Sequence, residues 1–264
     1  MNYGYADLVG NGRTLALNEQ DIAERYCRQL YAHVANELDL RGRDVVEVSS
    51  GRGGGAAFLY RRLGLGTMTG VDIAHSAVEF CRKTHRGRNL GFLQGDADDL
   101  PLFDESTDAV VNIEASFCYG DISQFLAEAF RLLRPGGHLL YADLRLVEEV
   151  PQLRKAFLKS GFSVVGEEDI SQNVVRAPEL DSERRDDAGA IAPFPLRYAL
   201  RTFAEAPGTR IPTLLANKQM VYLKFRLQKP CMAGEQRDDQ SGIYNGCDLA
   251  NHVIDSDVRP SKAA

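Results

Sequence analysis

The segment Val45-Val46-Glu47-Val48-Ser49-Ser50-Gly51-Arg52-Gly53-Gly54-Gly55 runs from an apolar stretch through a glycine-dense turn into a helical pattern. Gly51, Gly53 and Gly55 let the backbone turn tightly and come close to a ligand, and the helix that follows offers free N–H groups to an anionic or polar head. Seventeen positions beyond Gly55, Asp72 closes Gly70-Val71-Asp72 and is followed by Ile73. A carboxylate there can accept hydrogen bonds from both hydroxyls of a ribose. Gly95-Asp96-Ala97 can present Asp96 to the amino group of a base, and Asn112-Ile113-Glu114-Ala115 ends another apolar run beneath the same ligand. Each piece alone is also ordinary loop chemistry, since Asp, Asn and Gly are common in loops. The combination reads as a nucleoside site.

Tyr119 and Asp143 stand where loops would leave the fourth and fifth strands, the rim at which open α/β sheets hold ligands, and are the candidates for taking a proton from an acceptor. Arg145 can hold a polar substrate group or pair with Asp143. His33 reads as a surface or capping residue of the first helix, His138 as a packing residue, and Cys118 as a small apolar filler. Five cysteines without CxxC spacing imply free thiols. No carboxylate–histidine cluster has ligand spacing, so no metal is expected.

The elements that must position these residues follow from periodicity. Strands are expected at residues 44–49, 68–72, 90–94, 109–113 and 138–142, with helices at 54–63, 76–85 and 122–133 between them. A first helix is expected over 19–38, its buried stripe running through Ala23, Tyr26, Cys27, Leu30, Val34 and Leu38. A helix over 147–160 and strands at 162–166 and 220–227 complete the pattern. Successive βα units imply a doubly wound, Rossmann-like, mostly parallel sheet of seven strands. The proline-broken stretch at about 171–217 is expected to be a helical lid, with Phe194, Leu196, Tyr198, Leu200, Phe203, Ile211, Leu214 and Leu215 facing an apolar acceptor. One domain over 1–230 and a flexible tail over 231–264 are expected.

A chain of 264 residues, 44% hydrophobic and 26% charged, is consistent with one sizeable domain. The net charge of −6 argues against a binder of extended nucleic acid, which needs clustered Lys and Arg. No stretch reaches the ~18 apolar residues of a membrane span, and the start lacks a signal-peptide pattern, so a cytoplasmic protein is expected.

The glycine turn with Glu47, the Gly-Val-Asp ending at Asp72, Gly95-Asp96-Ala97, Thr107-Asp108-Ala109-Val110-Val111 and Arg134-Pro135-Gly136-Gly137 resemble the ordered motifs of class I S-adenosylmethionine methyltransferases. Asn2-Tyr3-Gly4-Tyr5, Arg25 to Tyr31, Asn112-Ile113-Glu114-Ala115-Ser116, Tyr141 to Arg145 and Glu168 to Val174 extend the resemblance to actinobacterial phthiotriol, glycolipid and polyketide-tailoring methyltransferases, over residues 2–229. The resemblance implies S-adenosyl-L-methionine as cofactor. Gly51 and Gly53 would face its methionine part, Asp72 and Ile73 the ribose side, Asp96 and Ala97 the adenine, and Glu114 the amino-acid end or pocket floor, with Glu47 and Tyr26 close by. It also leaves a homodimer open, and it places Tyr3 and Tyr5 as a cover over the cofactor.

The pattern breaks at Phe117. Such enzymes commonly carry His there, so the base of the family is absent. Another group such as Tyr119, Asp143 or His33 serves, or the acceptor needs no base, or the reaction has changed. O-methylation of a small apolar natural product or lipid is the first reading, with C-methylation as its variant. A cofactor-binding cyclase that does not methylate is the alternative, and product mass separates the two. A nicotinamide-dependent oxidoreductase would share the glycine turn and Asp72, yet no Tyr-x-x-x-Lys pair supports it.

Overall fold

The computed structural model describes residues 2–8, 15–178, 180 and 210–231. Among these, seven strands form one sheet: β1 Asp44–Val48, β2 Thr67–Asp72, β3 Leu90–Gln94, β4 Thr107–Ile113, β5 Leu133–Leu146, β6 Ser163–Asp169 and β7 Met220–Gln228. Their order is β3-β2-β1-β4-β5-β7-β6. β1 to β5 pair in parallel, while β7 lies antiparallel between β5 and β6. This is the expected doubly wound, mostly parallel sheet. Its reversal point lies between β1 and β4, where a crevice opens beyond the strand ends.

The helices α1 Glu19–Ile22, α2 Arg25–Ala35, α3 Gly54–Leu63, α4 His75–Thr84, α5 Ile122–Leu132, α6 Val150–Lys159, α7 (residues 171–178) and α8 Arg210–Ala216 cover the sheet. Because successive strand residues point to opposite faces, each strand feeds two cores. Val45, Val111, Leu140, Leu144 and Tyr222 join Leu30, Val34 and Leu59 of α2 and α3 on one face. Val46, Val110, Leu139, Tyr141 and Phe225 join Phe125, Leu132 and Phe157 of α5 and α6 on the other.

Several expected boundaries move. The single helix over 19–38 is two, because Glu24 leaves helical geometry (φ −120, ψ 34). The buried face of α2 is Arg28, Gln29, Leu30, Ala32, Val34 and Ala35, while Tyr26 and Cys27 are only half-buried. Burying Arg28 is tolerable because Asp21 and Glu24 meet it at 3.2 and 2.6 Å. β5 begins at Leu133 because the expected turn at Arg134-Pro135-Gly136-Gly137 is taken up as an irregularity of the ladder with β4. Arg134 anchors that irregularity, 2.9 Å from both Asp44 and Asp108. The helix expected over 147–160 opens with a 3-10 turn, Val147–Glu149, before α6, whose first turn holds a proline that needs no N–H partner there.

Of the expected lid, α7 and α8 are described: Leu215 is buried and Ile211 packs on the α2–α3 core. Phe194, Leu196, Tyr198, Leu200 and Phe203 lie outside the described residues, as does the tail beyond 231. Among the described residues no helix is long and apolar enough to cross a membrane.

Candidate active site

β1 ends because Ser49 turns left-handed (φ +62), throwing the chain into the glycine turn above the sheet. The three glycines do different work. Gly51 (φ +54) faces open space, since a methyl group there would meet no atom within 4 Å. Gly53 (φ +71) caps α3 and lies so close to the Phe92 ring and the Cys81 sulfur that a Cβ would sit 2.6 and 2.8 Å from them. Gly55 was expected to admit a ligand, yet it admits Tyr31, whose ring carbon would lie 1.9 Å from a Cβ.

Asp72 reaches back to this turn. Its Oδ2 accepts from the Gly51 N–H at 2.7 Å and its Oδ1 from the Ala74 N–H at 2.9 Å. The neighbouring Ile73 is 64% exposed, a large apolar side chain left uncovered beside a carboxylate. The Gly95 N–H donates to the Asp72 carbonyl at 3.1 Å, which draws the next loop alongside. There Asp96 accepts from the Asp98 N–H at 3.1 Å and Ala97 is buried.

On the α2–α3 face lies a cluster that spacing did not reveal. Glu47 is 1% exposed; its Oε1 accepts from the Tyr31 hydroxyl at 2.5 Å, and its Oε2 is buried without a partner. Glu114 adopts a left-handed conformation (φ +49), which turns its side chain toward this face. Its Oε1 accepts from the Tyr3 N–H at 2.8 Å and from the Tyr222 hydroxyl at 2.9 Å. Burial pushes both carboxyls up to about 7, against the pull of these hydrogen bonds. Burial and the carboxylates together hold the Tyr31 and Tyr222 phenols well above their usual range.

On the α5–α6 face the acidic group is handled differently. The Asp143 side chain is fully buried, and its Oδ2 accepts from the Ser116 hydroxyl at 2.6 Å and the Phe117 N–H at 2.9 Å. Oδ1 accepts from the Leu144 N–H at 2.8 Å, and Arg145 lies 3.2 Å away. Arg145 also donates to Ser116 Oγ at 2.6 Å. Of the two readings of Arg145, pairing with Asp143 is the one present. Burial raises the Asp143 carboxyl, with Arg145 the main opposing influence. Tyr119 is held by Ser49 Oγ at 2.7 Å and the Asn112 amide at 2.9 Å. Burial lifts its phenol to about 12, against the pull of the Ser49 and Asn112 hydrogen bonds. Asp143, surrounded by donors, braces the turn that carries Phe117. That ring is 52% exposed, and Cys118 beside it is exposed rather than filling a core.

The N-terminal segment crosses the first cluster. Tyr5 donates its N–H to the carbonyl of Tyr26 at 2.9 Å and stacks on His33, ring centres 4.1 Å apart. His33 is thus not a surface residue: its Nε2 lies 3.0 Å from Glu168, and buried Lys224 joins it to Glu37. Alternation along β7 explains this, since Lys224 and Arg226 share the face of Tyr222.

A methyltransferase-domain family matches residues 46–141. The phthiotriol/phenolphthiotriol dimycocerosates methyltransferase of Mycobacterium leprae is 38% identical over 216 residues, covering 81% of this chain and 80% of that protein. A fatty-acid O-methyltransferase of Mycolicibacterium smegmatis is 37% identical over 231 residues, covering 87% and 83%. This chain is a class I S-adenosylmethionine-dependent methyltransferase. In fold the methyltransferase is also similar to the cyclase SpnF, with a TM-score of 0.63 and 19% identity over 88% of this chain and 87% of that one. That likeness concerns the fold, whereas the closer sequence relatives methylate. The open space at Gly51, the unpartnered Glu47 oxygen and exposed Ile73 beside Asp72 together fit a ligand with an ammonium-bearing amino-acid end and a nucleoside.

Proposed function

We propose that this methyltransferase transfers a methyl group to an oxygen of a long apolar lipid or polyketide acceptor. The observation that carries this reading is sequence identity of 37–38%, over at least 80% of the relatives' length, to enzymes named for phthiotriol lipids and fatty acids. Phe117, exposed at the rim in place of the family's histidine, favours an acceptor that arrives ionised, such as a fatty-acid carboxylate, over an alcohol.

S-adenosylmethionine, when bound, supplies an activated methyl on a sulfonium. The chain's own residues bind and align. We assign Gly51 and Gly53 to the methionine part, Asp72 and Ile73 to the ribose side, Asp96 and Ala97 to the adenine, and Glu47, Glu114 and Tyr26 to the amino-acid end and floor. Tyr119 lines the acceptor side, and Asp143 acts through Ser116 and Phe117 as a positioning residue. In-line transfer gains most from a dry, aligned pocket, which residues 2–8 and α8 help to close. Residues 1–230 form the catalytic domain in this reading, with a lid at about 171–217 and the tail outside it. The reading places a monomer or homodimer in the cytoplasm, and the net charge of −6 disfavours nucleic acid.

The test is incubation with methyl-labelled S-adenosylmethionine and, in parallel, a long-chain fatty acid, a phenol-terminated lipid and a long-chain diol. A methyl ester or ether, heavier than its acceptor by one methylene, supports the proposal. Transfer of label to none of the three acceptors would overturn this acceptor class, and label on carbon would overturn the choice of oxygen.

A further inference from the structure

Glu47 and Glu114 are carboxyls buried at the mouth of the site, and among the described residues no ion pair reaches either. Each is bonded by a tyrosine, Tyr31 at 2.5 Å and Tyr222 at 2.9 Å. Glu47 Oε2 is buried with no hydrogen bond to it, and the Ala56 amide acts on the carboxyl from nearby. Glu114 is held in a left-handed backbone conformation that costs energy for a non-glycine residue and aims it at this cluster. Burying a carboxyl without a cation in contact disfavours its anion and raises its affinity for a proton.

The groups that surround the pair do not supply that cation by contact. From α2 come Tyr31, Cys27 and Arg28, the last bonded to Asp21 and Glu24 and acting on Glu47 only through space. From α3 comes the Ala56 amide, from α4 the Cys81 thiol, from β7 Tyr222, from β5 the like-charged Asp143, and from the N-terminal segment the Tyr3 amide and phenol.

Resting on the donor assignment above, we infer that Glu47 and Glu114, each held by its tyrosine, form a proton-bearing cradle for the positive charge of the methyl donor, so that the donor binds with release of a proton from the pair to solvent. The balance is simple. The neutral cradle loses one proton to buffer and its anion is neutralised by the incoming cation. The cradle also distinguishes donor from spent product, because the product keeps its ammonium but has lost the sulfonium charge, and a smaller positive charge displaces less proton.

The experiment is calorimetric titration at pH 7 with S-adenosylmethionine and S-adenosylhomocysteine, each in phosphate and in Tris, whose ionisation heats differ. Each carboxyl, at about 7, is near half-protonated there. The donor is expected to release roughly half to one proton per site, and the product less. Glu47→Gln and Glu114→Gln should each remove about half of that release, as the same linkage requires. Tyr222→Phe keeps the carboxyl but removes a bond that favours its anion, so release at pH 8 should rise; this variant decides the matter if the glutamine variants fail to fold. Tight donor binding with heats independent of buffer would overturn the inference. No binding of either ligand would instead overturn the donor assignment on which it rests.

Discussion

The two acidic clusters at the mouth of the site lie on opposite faces of the same sheet and solve the same problem in opposite ways. On the α5–α6 face Asp143 is buried with its own cation, Arg145, and donors meet both its oxygens. On the α2–α3 face Glu47 and Glu114 are buried with phenols and amides, and one oxygen is left bare. The first arrangement is finished without a ligand and serves to hold the Ser116–Phe117 turn. The second is incomplete in that no cation meets either carboxyl by contact among the described residues, which raises their affinity for protons.

Breaking the completed cluster should cost most. Arg145→Met leaves Asp143 buried without its cation and should lower stability by about 3–5 kcal/mol in chemical denaturation. Adding Asp143→Leu should recover much of that loss, since both charges are then gone. If the single variant is as stable as the parent, Asp143 is not relying on Arg145.

The incomplete cluster should instead announce itself in the pH dependence of stability. Each carboxyl binds its proton more tightly in the folded chain, at about 7 against an ordinary 4.5. The stabilisation is therefore complete below about 4.5 and is lost as pH rises through 7, with an upper bound of about 3.5 kcal/mol per group. Melting temperatures across pH 5 to 9 should fall less steeply in Glu47→Gln than in the parent. A parallel fall in both would remove Glu47 from the account.

Smaller effects sharpen the contrast within the second cluster. Gly55→Ala drives a methyl group into the Tyr31 ring and should cost about 1–3 kcal/mol, weakening donor binding as Tyr31 leaves Glu47. Titrating that variant with S-adenosylmethionine checks it, and unaltered affinity would show that Tyr31 moves freely. Tyr222→Phe should be mildest, about 1 kcal/mol for one lost hydrogen bond, read as a small drop in the denaturation midpoint.

Much of the fold was readable because strand and helix periods, and glycine where the chain must turn, are local properties. The site was readable only in part. Gly51, Gly53, Asp72 and Asp96 were legible as candidates because they stand at strand ends. Tyr31 and Tyr222 do not, since a tyrosine on a helix and another on a β-strand look like ordinary core residues. Cys118 and His33 were misjudged for the same reason, because side-chain surroundings come from elements distant in sequence. The break in the first helix was missed because a polar turn at Glu24 does not interrupt the apolar stripe.

The sequence by itself determined the order of strands and helices, the glycine turn and the placing of acidic residues at the strand ends, all consequences of short-range sterics and of alternation in hydrophobicity. Only the tertiary structure decided which acids have partners. Tyr222 reaches Glu114 across 108 positions of chain because the antiparallel register of β5 and β7 sets Tyr222 opposite Leu144. Whether a carboxyl is paired with an arginine or left with a phenol depends on the face it occupies and on what packs there, and desolvation acts on that neighbourhood rather than on the residue type.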